Sequence, residues 1–216
     1  MPRPPFLRAF LLLAPGAACV SAETPGLAPP VAPVDPWSAE FQPPETLDTP
    51  RVHLEPLRPE LAQLDFDAVT SSRDHLRRTL RWGSWPGDDM TLEQNRGDIE
   101  QHWTEFVARE GYAYSVLASD RARCLGCLYM RPGRDAELDL PAVEVAFWVV
   151  EDELESELDA HLLAALLEWI TNEWPFDSLL WPVHQDNERA NAIARGLGLE
   201  HRGTRQAHVR WAWWRW

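Results

Sequence analysis

The sequence has no lysine. All twenty basic residues in its 216 positions are arginine, and 34 acidic residues leave a formal net charge of −14. A surface of that charge repels the phosphates of DNA and RNA from most of its faces. We therefore predict no nucleic-acid partner. The length suits one ordinary domain with an extension.

Cysteine is also scarce. Cys19, Cys124 and Cys127 are too few for a disulfide framework. The pair in "CLGC" lacks the second pair of ligands that a zinc site needs, and it does not open a helix as a redox pair does. Its surroundings, "RCLGCLYM", indicate a strand, in which residues three apart point to opposite faces. We predict two structural thiols and no metal.

Long apolar runs are missing. The N-terminal segment has Arg3, Arg8, a short apolar run and a candidate cleavage site at residues 20–22. The run is too short to span a bilayer permanently, so no stable membrane insertion is predicted. Export by a signal peptide is one interpretation. The other is a cytoplasmic protein whose Pro-rich leader is a tail or upstream sequence read from too early a start codon. Residues 1–47 are predicted to lie outside a domain at 48–216.

The chain beyond Pro50 alternates between strand-like and helix-like segments. Strands are indicated by period-two alternation or short apolar runs, and helices by apolar residues three and four apart. A strand–helix–strand crossover places two neighbouring strands parallel inside a mixed sheet. The predicted strands are "RVHLEPL", "YAYSVLA", "RCLGCLYM", "VEVAFWVV" and "SLLWPVH", with a turn at 132–133, and the predicted helices cover residues 59–69, 74–80, 91–109, 158–174 and about 187–197.

Capping residues set the limits of two helices. Thr91 and Gln94 have the spacing of a capping box. Asp186 or Asn187 caps the last helix, and Gly198 follows it where a left-handed residue is expected.

The segment "QDNERANAIARGLGLEHRG" resembles the GNAT acetyltransferase superfamily, in particular the branch that acetylates N-termini of ribosomal proteins. That branch has an Asn-Glu-Arg-Ser start, a short helix, then Leu-Gly-Phe and a further Gly. "RVHLEPLRPE" resembles its opening strand and "VEVAFWVV" its central strand. The resemblance implies an α/β (α+β) fold with a mixed, mostly antiparallel sheet of about six or seven strands and helices on both faces. The matching positions of the first segment are Asn187, Glu188, Arg189, Ala190, Leu197, Gly198, Leu199 and Gly203.

The resemblance implies direct transfer of an acetyl group from acetyl-coenzyme A to an amine, on a small molecule or a protein N-terminus. In the family an acid on the central strand often holds or deprotonates the amine, directly or through water. Glu144 is the residue that matches. The alternative for Glu144 is a partly exposed strand acid paired with an arginine.

The resemblance also implies cofactor-binding residues. The pantetheine arm adds beside the central strand, here along the backbone of Trp148, Val149 and Val150. Leu158 lies where the following helix begins. Asn187 contacts the cofactor in the family, and its alternative role is only that of a helix cap.

One part of the sequence departs from the family. The turn after the central strand reads Arg-x-x-Gly-x-Gly or Ala there, and its N–H groups wrap the diphosphate at a helix N-terminus. Those positions hold Leu154, Glu157 and Asp159 here, within "WVVEDELESELDAHLL". Carboxylates repel a diphosphate. This degenerate loop predicts weak cofactor binding, with Ser156 capping the helix and the acids stabilised by its dipole.

Two functions from different classes follow. The first is a GNAT-type N-acyltransferase with acetyl-coenzyme A as donor and an amine as acceptor, and the acidic composition favours a cationic acceptor. The second is a catalytically inactive GNAT-fold module, with weak or no coenzyme A binding, that binds a partner or forms a homodimer through its Trp-rich C-terminal segment.

Overall fold

One mixed sheet organises the computed structural model, which describes residues 35–135, 140–205 and 207–214. Its eight strands within these ranges are β1 (Leu47–Asp48), β2 (Val52–Pro56), β3 (Tyr112–Ala118), β4 (Cys124–Asp135), β5 (Leu140–Val149), β6 (Ser178–His184), β7 (Glu200–Arg205) and β8 (His208–Trp214). Their spatial order is β1-β2-β3-β4-β5-β6-β8-β7. Neighbours pair antiparallel except β5 and β6, which are parallel. The predicted mixed, mostly antiparallel sheet is confirmed, and the two-residue β1 brings the count to eight.

Helices connect these strands where the sequence predicted them. Asn187 is the residue that caps the last helix, because its Oδ1 accepts from the Ala190 N–H at 3.1 Å. The Thr91 capping box is confirmed, since the Thr91 hydroxyl accepts from the Gln94 N–H and the Gln94 side chain accepts from the Thr91 N–H. The α-helices of the described ranges are α1 (Ala62–Ser71), α2 (Arg73–Leu80), α3 (Leu92–Ala108), α4 (Leu158–Glu173) and α5 (Glu188–Gly196), with 3-10 turns at Pro59–Leu61 and Glu151–Glu153.

The hairpin of β4 and β5 is longer than predicted. Pro132 and Gly133 are not its turn, because they pair with Val143 and Ala142 inside the sheet. A proline lacks the N–H that a strand between two neighbours requires. At Pro132 the strand has one neighbour, since the pairing of β4 with β3 ends at Met130.

Both faces of the sheet are covered. β3 is buried at six consecutive positions, so side chains pointing to either face are shielded from water. On α4 the apolar face predicted from the sequence is buried, with Leu158, Leu162, Leu166, Trp169 and Ile170 each at most 2% exposed. Of the helices described, none combines the length and apolar character that crossing a membrane requires.

Residues 35–46, assigned to the Pro-rich leader from the sequence, contact the core. Trp37 stacks on Tyr112 with 5.1 Å between ring centroids. Phe41 packs against Trp174 at 5.6 Å, and the Tyr114 hydroxyl donates to the Pro44 carbonyl at 2.7 Å. The described residues all fall in one unit, Pro33–Trp216, by their contacts.

Candidate active site

The parallel strands β5 and β6 separate part-way along their length. They pair through Val143 with Leu179 and through Glu144 with Leu180. Beyond these residues β5 continues beside β4, and β6 continues beside β8. The edges that β5 and β6 turn toward each other are therefore free to line a cleft.

Two features accompany this separation. Pro182 lies in β6 just beyond the last pair, where a residue without an N–H loses no ladder hydrogen bond to β5. Phe147 of β5 and Trp181 of β6 stack with 5.1 Å between centroids and 11° between planes. The stacked rings give the cleft an aromatic wall.

A cavity of about 110 Å³ occupies the cleft and is lined by β5, β6, α2 and α5. Of the predicted cofactor-binding residues, Trp148, Val149 and Asn187 line it. The other two predicted residues, Val150 and Leu158, do not line this cavity with their side chains. Val150 is buried and its N–H donates to the Leu125 carbonyl at 2.9 Å, and Leu158 is in the core at 1% exposed.

A second cavity, of about 590 Å³, lies between the sheet, α1, α3 and the loop after α2. Glu144 lines this cavity and is exposed. Its cross-strand neighbour Arg131 bonds Glu105 instead, at 2.9 Å. Among the described side chains none forms an ion pair with Glu144, and its role stays a prediction.

A buried carboxyl also lines the second cavity. Asp65 of α1 is 5% exposed, and it accepts hydrogen bonds from the Asn95 amide at 2.9 Å and the Cys127 thiol at 3.2 Å. Burial raises the pKa of Asp65, and these two hydrogen bonds oppose the shift. Burial also raises the pKa of Cys127. The thiol therefore acts as a donor that positions a carboxyl under the cavity.

The two cavities adjoin. Trp82, Ala146, Pro182 and His208 line both of them. Within this shared set His208 carries the ionisable side chain. Its ring lies 5.4 Å from that of His184, centroid to centroid, at 85°.

The start of α4 is not built as predicted. Ser156 does not cap it: the Ser156 hydroxyl donates to the Glu153 carbonyl at 2.8 Å and accepts from Arg51 at 2.6 Å. The cap position belongs to Glu157, whose side chain makes no capping hydrogen bond. Glu157 has φ 56° and ψ 36°, the left-handed conformation that glycine adopts most easily.

The Asp159 side chain binds the N-terminus of α4, the helix to which it belongs. Its Oδ1 accepts from the Ala160 N–H at 3.0 Å, one of the first-turn donors that have no partner inside a helix. Arg189 holds the same carboxylate with two bonds, at 2.6 and 2.7 Å. A further bond from Arg189 reaches the Leu154 carbonyl at 2.8 Å. The guanidinium therefore ties α5 to the loop and to the helix start.

Other acids of this junction are paired with arginines from distant parts of the chain. Arg78 of α2 bonds Glu151 at 3.0 Å, and Arg123 bonds Asp152 at 2.9 Å. Exposed pairs of this kind stabilise a protein by less than about 1 kcal/mol each. They nevertheless reduce the negative potential of the loop.

Residues 51–200 match the family described as "Acetyltransferase (GNAT) domain". The match spans most of the chain. The protein belongs to the GNAT acetyltransferase family. The superfamily predicted from the sequence is therefore confirmed.

Solved structures of GNAT enzymes share this fold. RimL, a ribosomal L7/L12 alpha-N-protein acetyltransferase solved with coenzyme A, has a TM-score of 0.66 and 14% identity over 79% of this chain and 98% of its own. The ribosomal-protein-S5-alanine acetyltransferase of Vibrio fischeri gives 0.63 and 11%, over 78% and 96%. The microcin C7 self-immunity acetyltransferase MccE, solved with acetyl-CoA and AMP, gives 0.64 and 10%, over 77% and 94%. No curated protein sequence matches the chain.

Several residues of this candidate site were not predicted from the sequence. Trp82 and Trp85 could have been found from the sequence, because two tryptophans in the short segment "WGSWPG" between helices indicate a loop that packs its aromatic rings on the protein. His208 had no such signal, since its position depends on how β8 pairs with β6. Asn191 was also missed: its buried side chain donates to three carbonyls and accepts from Trp211, which fixes α5 against β6 and β8.

Proposed function

We propose that this GNAT protein is an N-acetyltransferase that uses acetyl-coenzyme A and acetylates an amine. The observation that carries the proposal is the meeting of two cavities where β5 and β6 separate, with Glu144 lining the larger one. The smaller cavity suits the acyl-pantetheine arm, because it follows the free edge of β5 past Trp148 and Val149. The larger cavity receives the amine.

The chemistry requires two proton movements. Acetyl-coenzyme A supplies an acetyl group activated as a thioester. Glu144 accepts a proton from the ammonium form of the acceptor, directly or through water, so that the amine lone pair is free to attack the carbonyl carbon. A C–N bond forms and the C–S bond breaks, and the proton that the attacking nitrogen then loses passes to the departing thiolate. We assign this transfer to His208, the ionisable residue that lines both cavities.

The loop before α4 is less suited to binding the diphosphate of the cofactor than the cleft is to binding its pantetheine arm. Side chains stand at 154, 157 and 159, where the family pattern has arginine and small residues. Arg189 contacts two of these positions, through the Leu154 carbonyl and Asp159, and it is already bonded to Asp159 through two hydrogen bonds. We therefore expect acetyl-coenzyme A to bind with a dissociation constant weaker than about 10 μM, equivalent to less than roughly 7 kcal/mol.

Calorimetric titration with acetyl-coenzyme A, combined with a thiol-release assay over a panel of primary amines, tests the proposal. Glu144→Gln should keep the affinity for acetyl-coenzyme A and lower kcat/KM about 10²- to 10⁴-fold. Glu173→Gln, an exposed carboxylate at the end of α4, is the matched control and should change neither quantity. Equal activity of Glu144→Gln and the parent protein would refute the role of Glu144.

A second candidate is a GNAT-fold binding module without catalysis. The observation that favours it is the Asp159–Arg189 pair, which occupies the helix start with the protein's own anion and cation. This candidate predicts no heat of binding with acetyl-coenzyme A at millimolar concentration and no thiol release with any amine. The N-acetyltransferase predicts both signals.

A further inference from the structure

We propose that the acceptor is a small protonated amine attached to an aromatic body, an arylalkylamine, bound in the second cavity. This inference rests on the proposed function for the acetylation step, but the binding of the amine is a separate claim. It names a ligand class for a cavity whose residues were not predicted as a group from the sequence.

Aromatic rings form a continuous row along one side of this cavity. His102 and Tyr129 have centroids 5.2 Å apart, Tyr129 and Trp82 are 5.7 Å apart, and Trp82 and Trp85 are 5.7 Å apart. All four residues line the cavity. Trp82 is 37% exposed, so part of its ring remains uncovered beside this cavity.

The charge of the lining is negative. Asp98 and Glu144 are exposed carboxylates of this cavity, and the described structure gives neither an ion pair. Arg131, the cation of the lining, is bonded to Glu105 and so offers little positive charge to a ligand. Carboxylates beside aromatic faces attract an ammonium group through charge and through cation–π contact.

The buried Asp65 does not add a second strong cation site. Its two oxygens already accept hydrogen bonds from Asn95 and Cys127, and burial raises its pKa. The carboxylates left to attract an ammonium group are therefore the exposed Glu144 and Asp98. The lining also includes the apolar side chains of Leu57 and Ile99.

The size and position of the cavity agree with a compact ligand. Its volume of about 590 Å³ falls within the roughly 300–1,000 Å³ of small-molecule sites. The wall shared with the first cavity, at Ala146 and His208, is where the nitrogen must reach the acetyl group. An arylalkylamine can place its ammonium there while its ring packs on the tryptophans.

Binding is tested without any donor, by calorimetry of the full chain with three matched probes. Phenethylamine carries both the ring and the charge, phenethyl alcohol has the ring alone, and ethylamine has the charge alone. We expect phenethylamine to bind at least tenfold more tightly than either of the others. Equal affinity for all three, or tighter binding of spermidine or of a hexapeptide with a free N-terminus, would overturn the proposal.

Substitutions in the lining of the second cavity test whether phenethylamine binds there. Trp85→Leu should weaken phenethylamine binding at least tenfold, and Asp98→Asn, an exposed change that leaves the core intact, about fivefold. Trp103→Leu is the matched control, because Trp103 packs on Phe106 and Arg58 away from the cavity and should leave affinity unchanged. Unchanged affinity in both Trp85→Leu and Asp98→Asn would also overturn the assignment.

The acetylation assay separates this inference from the proposed function. If phenethylamine binds as expected but acetyl-coenzyme A gives no N-acetyl product with any amine, the cavity assignment stands and the proposed function fails. If peptides or polyamines are acetylated while phenethylamine does not bind, the proposed function stands and this inference fails.

Discussion

Replacing Glu157 with glycine is expected to stabilise the protein, because this residue holds a backbone conformation that suits glycine. Its φ of 56° and ψ of 36° lie in the left-handed region. For an L-residue with a side chain that region costs roughly 1–2 kcal/mol relative to the right-handed one. Glycine avoids this cost, but it also increases the conformational entropy of the unfolded chain, which destabilises the folded state by about 0.4–1 kcal/mol. The balance favours Glu157→Gly by about 0.5–1 kcal/mol.

The side chain of Glu157 contributes little that glycine would lose. It is exposed and makes no capping hydrogen bond to α4, and glycine is accepted at a cap position. An exposed acid near a helix N-terminus contributes about 0.3 kcal/mol or slightly more. For a domain of this size each kcal/mol raises the melting temperature by about 2–4 °C. After this loss about 0.2–0.7 kcal/mol remains, so Glu157→Gly should raise Tm by about 0.5–3 °C.

Thermal unfolding followed by circular dichroism measures this shift, with Glu155→Gly as the control. Glu155 is exposed in the same loop but does not have a positive φ. Glycine there only adds freedom to the unfolded chain, so Tm should fall. If Glu157→Gly lowers Tm as much as Glu155→Gly does, the argument from backbone conformation is wrong. Because one carboxylate near a phosphate costs about 1 kcal/mol in water, Glu157→Gly should also tighten acetyl-coenzyme A binding about fivefold by calorimetry.

Three further predictions concern other parts of the structure. Burial raises the pKa of Asp65 above its ordinary 3.8. The stabilisation from the neutral carboxyl is therefore complete below pH 3.8 and is lost as the pH rises through the pKa of the folded state. Urea unfolding from pH 4 to 8 should show the parent protein losing stability relative to Asp65→Asn. Asn187→Ala should cost about 1 kcal/mol by urea unfolding through loss of the α5 cap, and Asn187→Asp should retain it. Gly126→Ala should cost about 3 kcal/mol or more, because its Cβ would lie 2.0 Å from the Trp148 carbonyl oxygen, whereas Gly97→Ala meets nothing within 4 Å and should raise stability in the same assay.

The order of strands and helices could be predicted because hydrophobic periodicity and capping residues are local signals. "YAYSVLA" and "SLLWPVH" match β3 and β6 residue for residue. The turn at 132–133 was wrong because its proline was interpreted locally, whereas the end of the β3 pairing decides whether a proline fits in β4. The cap at Ser156 was wrong for a similar reason, since Arg51 and Glu153 compete for its hydroxyl.

The site could be predicted only where a segment in the resemblance carries it. Glu144, Trp148 and Val149 follow from the place of β5 in the resemblance, Asn187 follows from the start of α5, and all four line one of the two cavities. His208 and the tryptophans of the loop after α2 reach the same place from elements far apart in the chain. Their contribution depends on tertiary packing, which no local pattern in a single sequence expresses.

The absence of lysine affects how the acidic junction is held. A guanidinium has five donors in a fixed plane, so Arg189 can bind both oxygens of Asp159 and the Leu154 carbonyl at once, which a lysine ammonium could not do with the same geometry. The helix start thus has an anion on the Ala160 N–H and a cation on that anion, the two kinds of interaction that a diphosphate would otherwise receive there. A diphosphate entering this loop must compete with Asp159 for Arg189. We therefore expect the affinity for acetyl-coenzyme A to depend on an exchange of partners on Arg189 as well as on repulsion from the acidic side chains outside these pairs, such as Glu157, since residues 151, 152 and 159 are already paired.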